Sequence, residues 1–183
     1  MNVHRLKKHD IVLVVVDIQE KLASVMNHRT MVVRNTIILL KAAEILKLPI
    51  LLTEQYPKGL GKTVQEIRDV IPNTTAIEKM SFSCCGEPKF SESLKLTAKK
   101  QVILCGMETH VCILQTALDL LSQGYEVFIP ENAVCSQKEE DRKAAFNRIN
   151  QAGITPTSVE SAIFELVGTA GTEEFKAILK VVK

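Results

Sequence analysis

Cysteine occurs five times in the 183 residues, but never as a CxxC pair and in an odd number. Neither a secreted disulfide framework nor a cysteine zinc site reads from that pattern. An excess of charge of one sign is missing as well. The 23 Lys and Arg are scattered among 21 Asp and Glu, for a net charge of +2. This leaves no basic stripe for nucleic acid or a membrane surface. No apolar stretch approaches the ~18 residues of a membrane span. The polar start MNVHRLKKHD leads into Ile11–Val16, which Asp17 cuts short, so no signal-peptide pattern forms. Phosphate cradles are absent: no GxGxxG follows the first strand and no GxxxxGK[ST] occurs anywhere. His4, His9, His28 and His110 are not paired at ligand spacing, so no metal site is expected. Aromatics make up only 4%. Without repeats, linkers or low-complexity segments, the chain reads as one domain, 1–183. It is expected to act on a small molecule without metal or cofactor, in a reducing, cytoplasmic compartment.

What is present is an alternation of short apolar runs and longer amphipathic stretches. Ile11–Val16 (IVLVVV) is β-branched and continuous, the pattern of a strand buried on both faces. Residues 30–47 carry apolar side chains at helical spacing and stop before Pro49. Further strands are predicted at 50–53, 75–78, 101–106, 125–129 and 154–157. Helices are predicted at 64–70, 91–99, 111–122, 138–151, 159–167 and 172–181, and 56–62 (YPKGLGK) reads as a loop. Strands alternating with helices make βαβ units, hence an α/β fold with about six strands in one open parallel sheet. Ligands in such sheets bind beyond the carboxyl ends of the strands. The polar residues there are Asp17, 53–56, Lys79, 108–112 and 131–135.

Three of these carry chemistry. Cys112 falls at the first turn of the helix after the fourth strand, where free N–H groups and the helix dipole favour a thiolate. The same position also suits a small core hydrophobe. Asp17 ends a run of six aliphatics, as a turn residue or as a base. Lys79 ends the third strand, as a surface lysine or as a charge holder. Together they supply a thiol, a carboxylate to take its proton and an ammonium to hold the charges. His110 offers a Cys–His dyad, but two positions apart on a helix the side chains diverge, so it reads as a hydrogen-bonding residue. Cys84 and Cys85 read as loop thiols.

At these places the sequence resembles the isochorismatase-like cysteine hydrolase superfamily. The matching stretches are Val14–Gln19 (VVVDIQ), Ile77–Ser83 (IEKMSFS) and Leu104–Ala117 (LCGMETHVCILQTA). Thr53–Gly61 (TEQYPKGLG) is similar to the subgroup of isochorismatase domain-containing proteins. The resemblance implies a three-layer α/β/α sandwich, Rossmann-like, with a six-stranded parallel sheet, and a catalytic triad of Asp17, Lys79 and Cys112. In amidase members the aspartate deprotonates the thiol, the thiolate attacks an amide carbonyl, and water hydrolyses the resulting thioester. A non-proline cis peptide is implied between Met107 and Glu108, with the N–H groups of Glu108 and Cys112 forming the oxyanion hole. By proximity to the triad segments, Gln19, Tyr56 and Phe82 are expected as pocket walls or as packing residues, and family habit implies a homo-oligomer, a dimer or larger.

Two departures narrow the reading. Metal-binding nicotinamidases carry Asp-x-His after the second strand, where this chain has Thr53-Glu-Gln-Tyr56. Isochorismate cleavage is acid chemistry on a vinyl ether and needs no thiol, whereas Cys112 is intact. The leading expectation is a cysteine-dependent hydrolase of a small amide or related C–N bond. The alternatives are an idle scaffold or binding protein of the same fold, a vinyl ether hydrolase, and a thiol-based redox responder.

Overall fold

The computed structural model describes residues 4–183. Its seven strands are β1 (Ile11–Val16), β2 (Ile50–Gln55), β3 (Ile77–Lys79), β4 (Gln101–Met107), β5 (Glu126–Pro130), β6 (Val134–Cys135) and β7 (Thr155–Thr157). All pair in parallel in the order β3-β2-β1-β4-β5-β7, while the two-residue β6 pairs with the far end of β4. The expected path of six strands is therefore present, and β6 is an addition. Two residues are too few to print an alternating pattern in a sequence. The order reverses between β1 and β4, so the crevice for a ligand opens there.

Helices cover both faces. On one lie α2 (Arg29–Leu46), α8 (Val159–Val167) and α9 (Glu173–Val182). On the other lie α5 (Pro88–Leu96), α6 (Leu114–Ser122) and α7 (Glu139–Ala152). The strand period of two divides β1 between them. Ile11, Leu13 and Val15 join Leu40, Ile163 and Ile178, whereas Val12, Val14 and Val16 join Phe90, Ala117 and Phe146. Two dry cores thus share one sheet, making three layers. Among the described residues no helix is long and apolar enough to cross a membrane.

Several boundaries differ from the sequence expectation for local reasons. The helix α5 begins at Pro88, not at Ser91, because Pro88 takes the first helical position and the Glu87 carboxylate accepts the Lys89 N–H. The 56–62 loop contains a single helical turn, α3 (Pro57–Leu60), that starts on a proline and stops at Gly61. β3 extends through Lys79, so that side chain belongs to the strand itself. Short helices α1 (Glu20–Ser24) and α4 (Gln65–Arg68) fill the remaining crossings.

Candidate active site

The carboxyl ends of β1, β3 and β4 deliver three side chains to one point. Asp17 leaves β1 with φ +53°, a left-handed conformation that aspartate tolerates, and its own N–H donates to Thr53 O at 3.2 Å. The Asp17 carboxylate is fully buried. Thr53 Oγ1 donates to Asp17 Oδ1 at 2.8 Å, and Lys79 Nζ donates to Asp17 Oδ2 at 2.6 Å. Lys79 Nζ also lies 3.8 Å from Cys112 Sγ. Acid, ammonium and thiol come from positions 62 and 33 residues apart, yet they form one buried cluster.

Cys112 sits on a wide, underwound turn, Thr109–Ile113, of π-helical form, entered through a cis peptide between Met107 and Glu108. The Glu108 carbonyl accepts the N–H groups of Val111 and Ile113, each at 3.2 Å. The segment after β5 braces this turn from behind. Gln137 N–H donates to Glu108 Oε2 at 2.8 Å, and His110 Nδ1 meets Ser136 Oγ at 2.9 Å. His110 is thus occupied away from the thiol.

Burial governs the electrostatics. Cys112 is 5% exposed, and burial, with the Asp17 charge nearby, pushes its thiol well above the ordinary range, against the pull of Lys79. Burial likewise raises the Asp17 carboxyl from its usual value, although Lys79 and Thr53 oppose the shift. Burial also works against the Lys79 ammonium, but Asp17 and the two neighbouring thiols outweigh it and hold it above its ordinary value. With Lys79 Nζ 2.6 Å from Asp17 Oδ2, the resting cluster reads as a carboxylate, an ammonium and a neutral thiol. Raising the carboxyl makes it a stronger base for the thiol proton, while burial of the thiol works against that transfer.

The remaining expected site residues fall differently. Gln19 is fully buried, and its carboxamide is used by main chain. Nε2 donates to Gln55 O at 3.0 Å and Gly61 O at 2.6 Å, while Oε1 accepts Gln55 N–H at 2.7 Å. It ties β1 to β2 and to the α3 turn, where a pocket wall was expected. Tyr56 and Phe82 are exposed, at 47% and 55%, beside Met80 at 70%. Tyr56, Met80 and Lys79 line a cleft of about 330 Å³ with Pro57, Lys58, Glu78 and Glu87. A larger cleft of about 770 Å³ lies along β2, β3 and α5, away from the thiol.

Besides Thr53, two residues of the cluster were not read from the sequence as members. Gln55 Oε1 accepts from Lys79 Nζ at 2.8 Å. Cys84, expected as a loop thiol, is fully buried on the single turn Cys84–Gly86; its Sγ lies 3.9 Å from Thr53 Oγ1, and its thiol is pushed up to about 12 by burial. Gln55 falls in the 53–56 stretch marked by its place at a strand end, but no local pattern names its partner on another strand, and Cys84 carries no such mark. The Glu54 carboxylate accepts Thr63 N–H at 2.6 Å and Thr63 Oγ1–H at 2.8 Å. Among the described residues no group of three or more His, Cys, Asp or Glu is arranged to hold a metal ion.

Comparison with known proteins matches the chain to a family. Residues 12–161 fit the isochorismatase domain. The secreted isochorismatase effector Isc1 of Phytophthora sojae is 42% identical over 184 residues, covering 98% of this chain and 87% of that protein. The MAR1 ribonuclease of Caenorhabditis elegans superposes with a TM-score of 0.92 at 39% identity, covering 98% of this chain and 92% of that one. The YcaC gene product of Escherichia coli, described as an octameric hydrolase of unknown specificity, also reaches 0.92, at 26% identity and with 99% and 92% covered. The domain match over most of its length and relatives this near show that the chain belongs to the isochorismatase family.

Proposed function

We propose that the protein is a cysteine-dependent hydrolase that cleaves a small amide or related C–N bond through a thioester. The observation that carries this reading is the position of Lys79 Nζ, 2.6 Å from Asp17 Oδ2 and 3.8 Å from Cys112 Sγ, at the switch point of a parallel sheet. Asp17 takes the thiol proton, and the sulfur attacks the carbonyl carbon. The new oxyanion is met by the N–H groups of Glu108 and Cys112, a contribution of about 3 kcal/mol per donor. The C–N bond breaks as Asp17 returns its proton to the leaving nitrogen. Water then attacks the thioester, giving its proton to Asp17, and the thiolate leaves and recovers that proton. Lys79 stays charged throughout and holds the carboxylate and the sulfur together.

Cys112→Ala is expected to lower turnover of a cleaved amide by more than about a thousandfold. Mass spectrometry with a slow substrate should show an acyl adduct on Cys112. Retained turnover in that variant, or an adduct confined to Cys84 or Cys85, would overturn the reading. A vinyl ether and an RNA belong in the same panel, since acid cleavage survives loss of the thiol and one structural relative is named a ribonuclease. No turnover on any arm would favour the idle scaffold.

The exposed Tyr56, Met80 and Phe82 beside the cleft support a homo-oligomer, as does the octameric YcaC relative. Light scattering should give at least twice the 20.3 kDa of one chain. The five unpaired thiols suit a reducing compartment.

A further inference from the structure

The Lys79 ammonium has three N–H groups and a surplus of acceptors. Besides Asp17 Oδ2 it donates to Gln55 Oε1 at 2.8 Å, Phe82 O at 3.1 Å and Ser81 O at 3.2 Å, with Cys112 Sγ at 3.8 Å. Four of these five are fixed by the main chain, by the ion pair or by the nucleophile itself. The fifth, the Gln55 carboxamide, supplies the one neutral side-chain oxygen among them. Its Nε2 donates to Met80 O at 2.8 Å, which orients the amide so that oxygen, not nitrogen, faces the ammonium. The Gln55 main chain is clamped in turn by Gln19.

We infer that Gln55 is a positioning residue that holds Lys79 between Asp17 and Cys112 as a neutral acceptor, so that the cluster keeps one positive charge for the sulfur. Neutrality matters because the cluster is balanced. Carboxylate, ammonium and thiol sum to zero, and they still sum to zero once the proton has moved from sulfur to Asp17. A second carboxylate at position 55 would claim the ammonium and oppose a thiolate. The ionisable groups facing Lys79 are Asp17 from β1, Cys84 from its turn and Cys112 from the π-helical turn. Lys58, Glu78 and Glu87 line the cleft outside. This inference deepens the proposed hydrolysis and rests on it for its consequence, but the test reads the thiol directly.

The experiment follows carbamidomethylation of Cys112 by iodoacetamide, resolved by peptide mass spectrometry, between about pH 6 and pH 9. Gln55→Glu is expected to slow the reaction about tenfold at neutral pH and to move its acid limb to higher pH. Gln55→Met, which removes the acceptor without adding charge, should shift the limb in the same direction by less. Melting temperature is recorded alongside. A lower melting temperature with an unshifted pH limb in both variants would mean a merely structural role and overturn the inference, as would failure of both to fold. The hydrolase reading fails separately: the wild-type protein would then turn over no amide while the Gln55 variants still differ from it in alkylation.

Discussion

Asp17 and Lys79 form an ion pair with both side chains fully buried, and such pairs are costly to break singly. Lys79→Met would strand the carboxylate, whose folded-state proton affinity then climbs further. A carboxyl raised in the folded state binds more protons than in the unfolded chain, so stability falls as pH rises through its titration. The variant's melting temperature should therefore drop more steeply from about pH 5 to 8 than that of the wild type, whose Asp17 is raised less, and its turnover should be lost. In the wild type the acid limb of kcat/KM should lie above the usual carboxylate range, since burial raises Asp17 and only its ionised form can take the thiol proton. A limb at an ordinary carboxylate value would assign the base elsewhere. Thr109 makes an opposite case: its buried hydroxyl has no partner among the described residues, so Thr109→Val should leave the melting temperature unchanged or higher. Asp17 and Lys79 were legible as abrupt polar residues at strand ends. Gln55 and Cys84 were not, because nothing in a local pattern shows that a side chain 24 residues from Lys79, or a thiol in a turn, folds beneath it.

The strand β4 and its turn are held by backbone geometry that only glycine permits. At Gly106 φ is +128°, and a Cβ there would lie 2.0 Å from Val16 O on the neighbouring strand. Gly106→Ala should therefore cost more than about 3 kcal/mol, measured by urea unfolding, since strain adds to a backbone clash. A cost below about 1 kcal/mol would mean β1 and β4 can part without loss. The long helices and buried strands were predictable to within a few residues, because their periodicity is carried by many side chains. The cis peptide at Met107–Glu108 was implied by the family resemblance, but the π-helical form of the turn after it and the two pairings of β6 with the end of β4 were not.

One sheet is shared by two cores, so neither can dissolve without exposing the other's strands. Phe90→Ala and Ile178→Ala, on opposite faces, should each cost about 3 kcal/mol and shift the same single transition. Circular dichroism and tyrosine fluorescence should then report coincident curves, and separated curves would show that the layers melt independently. Shared cores also settle what the thiols of the folded protein can reveal. Cys84, Cys105 and Cys135 have no solvent contact, while Cys85 is partly exposed. A maleimide added to native protein should therefore tag Cys85 promptly and the other three only when the whole chain opens, which makes each molecule a built-in recorder of how often it comes apart.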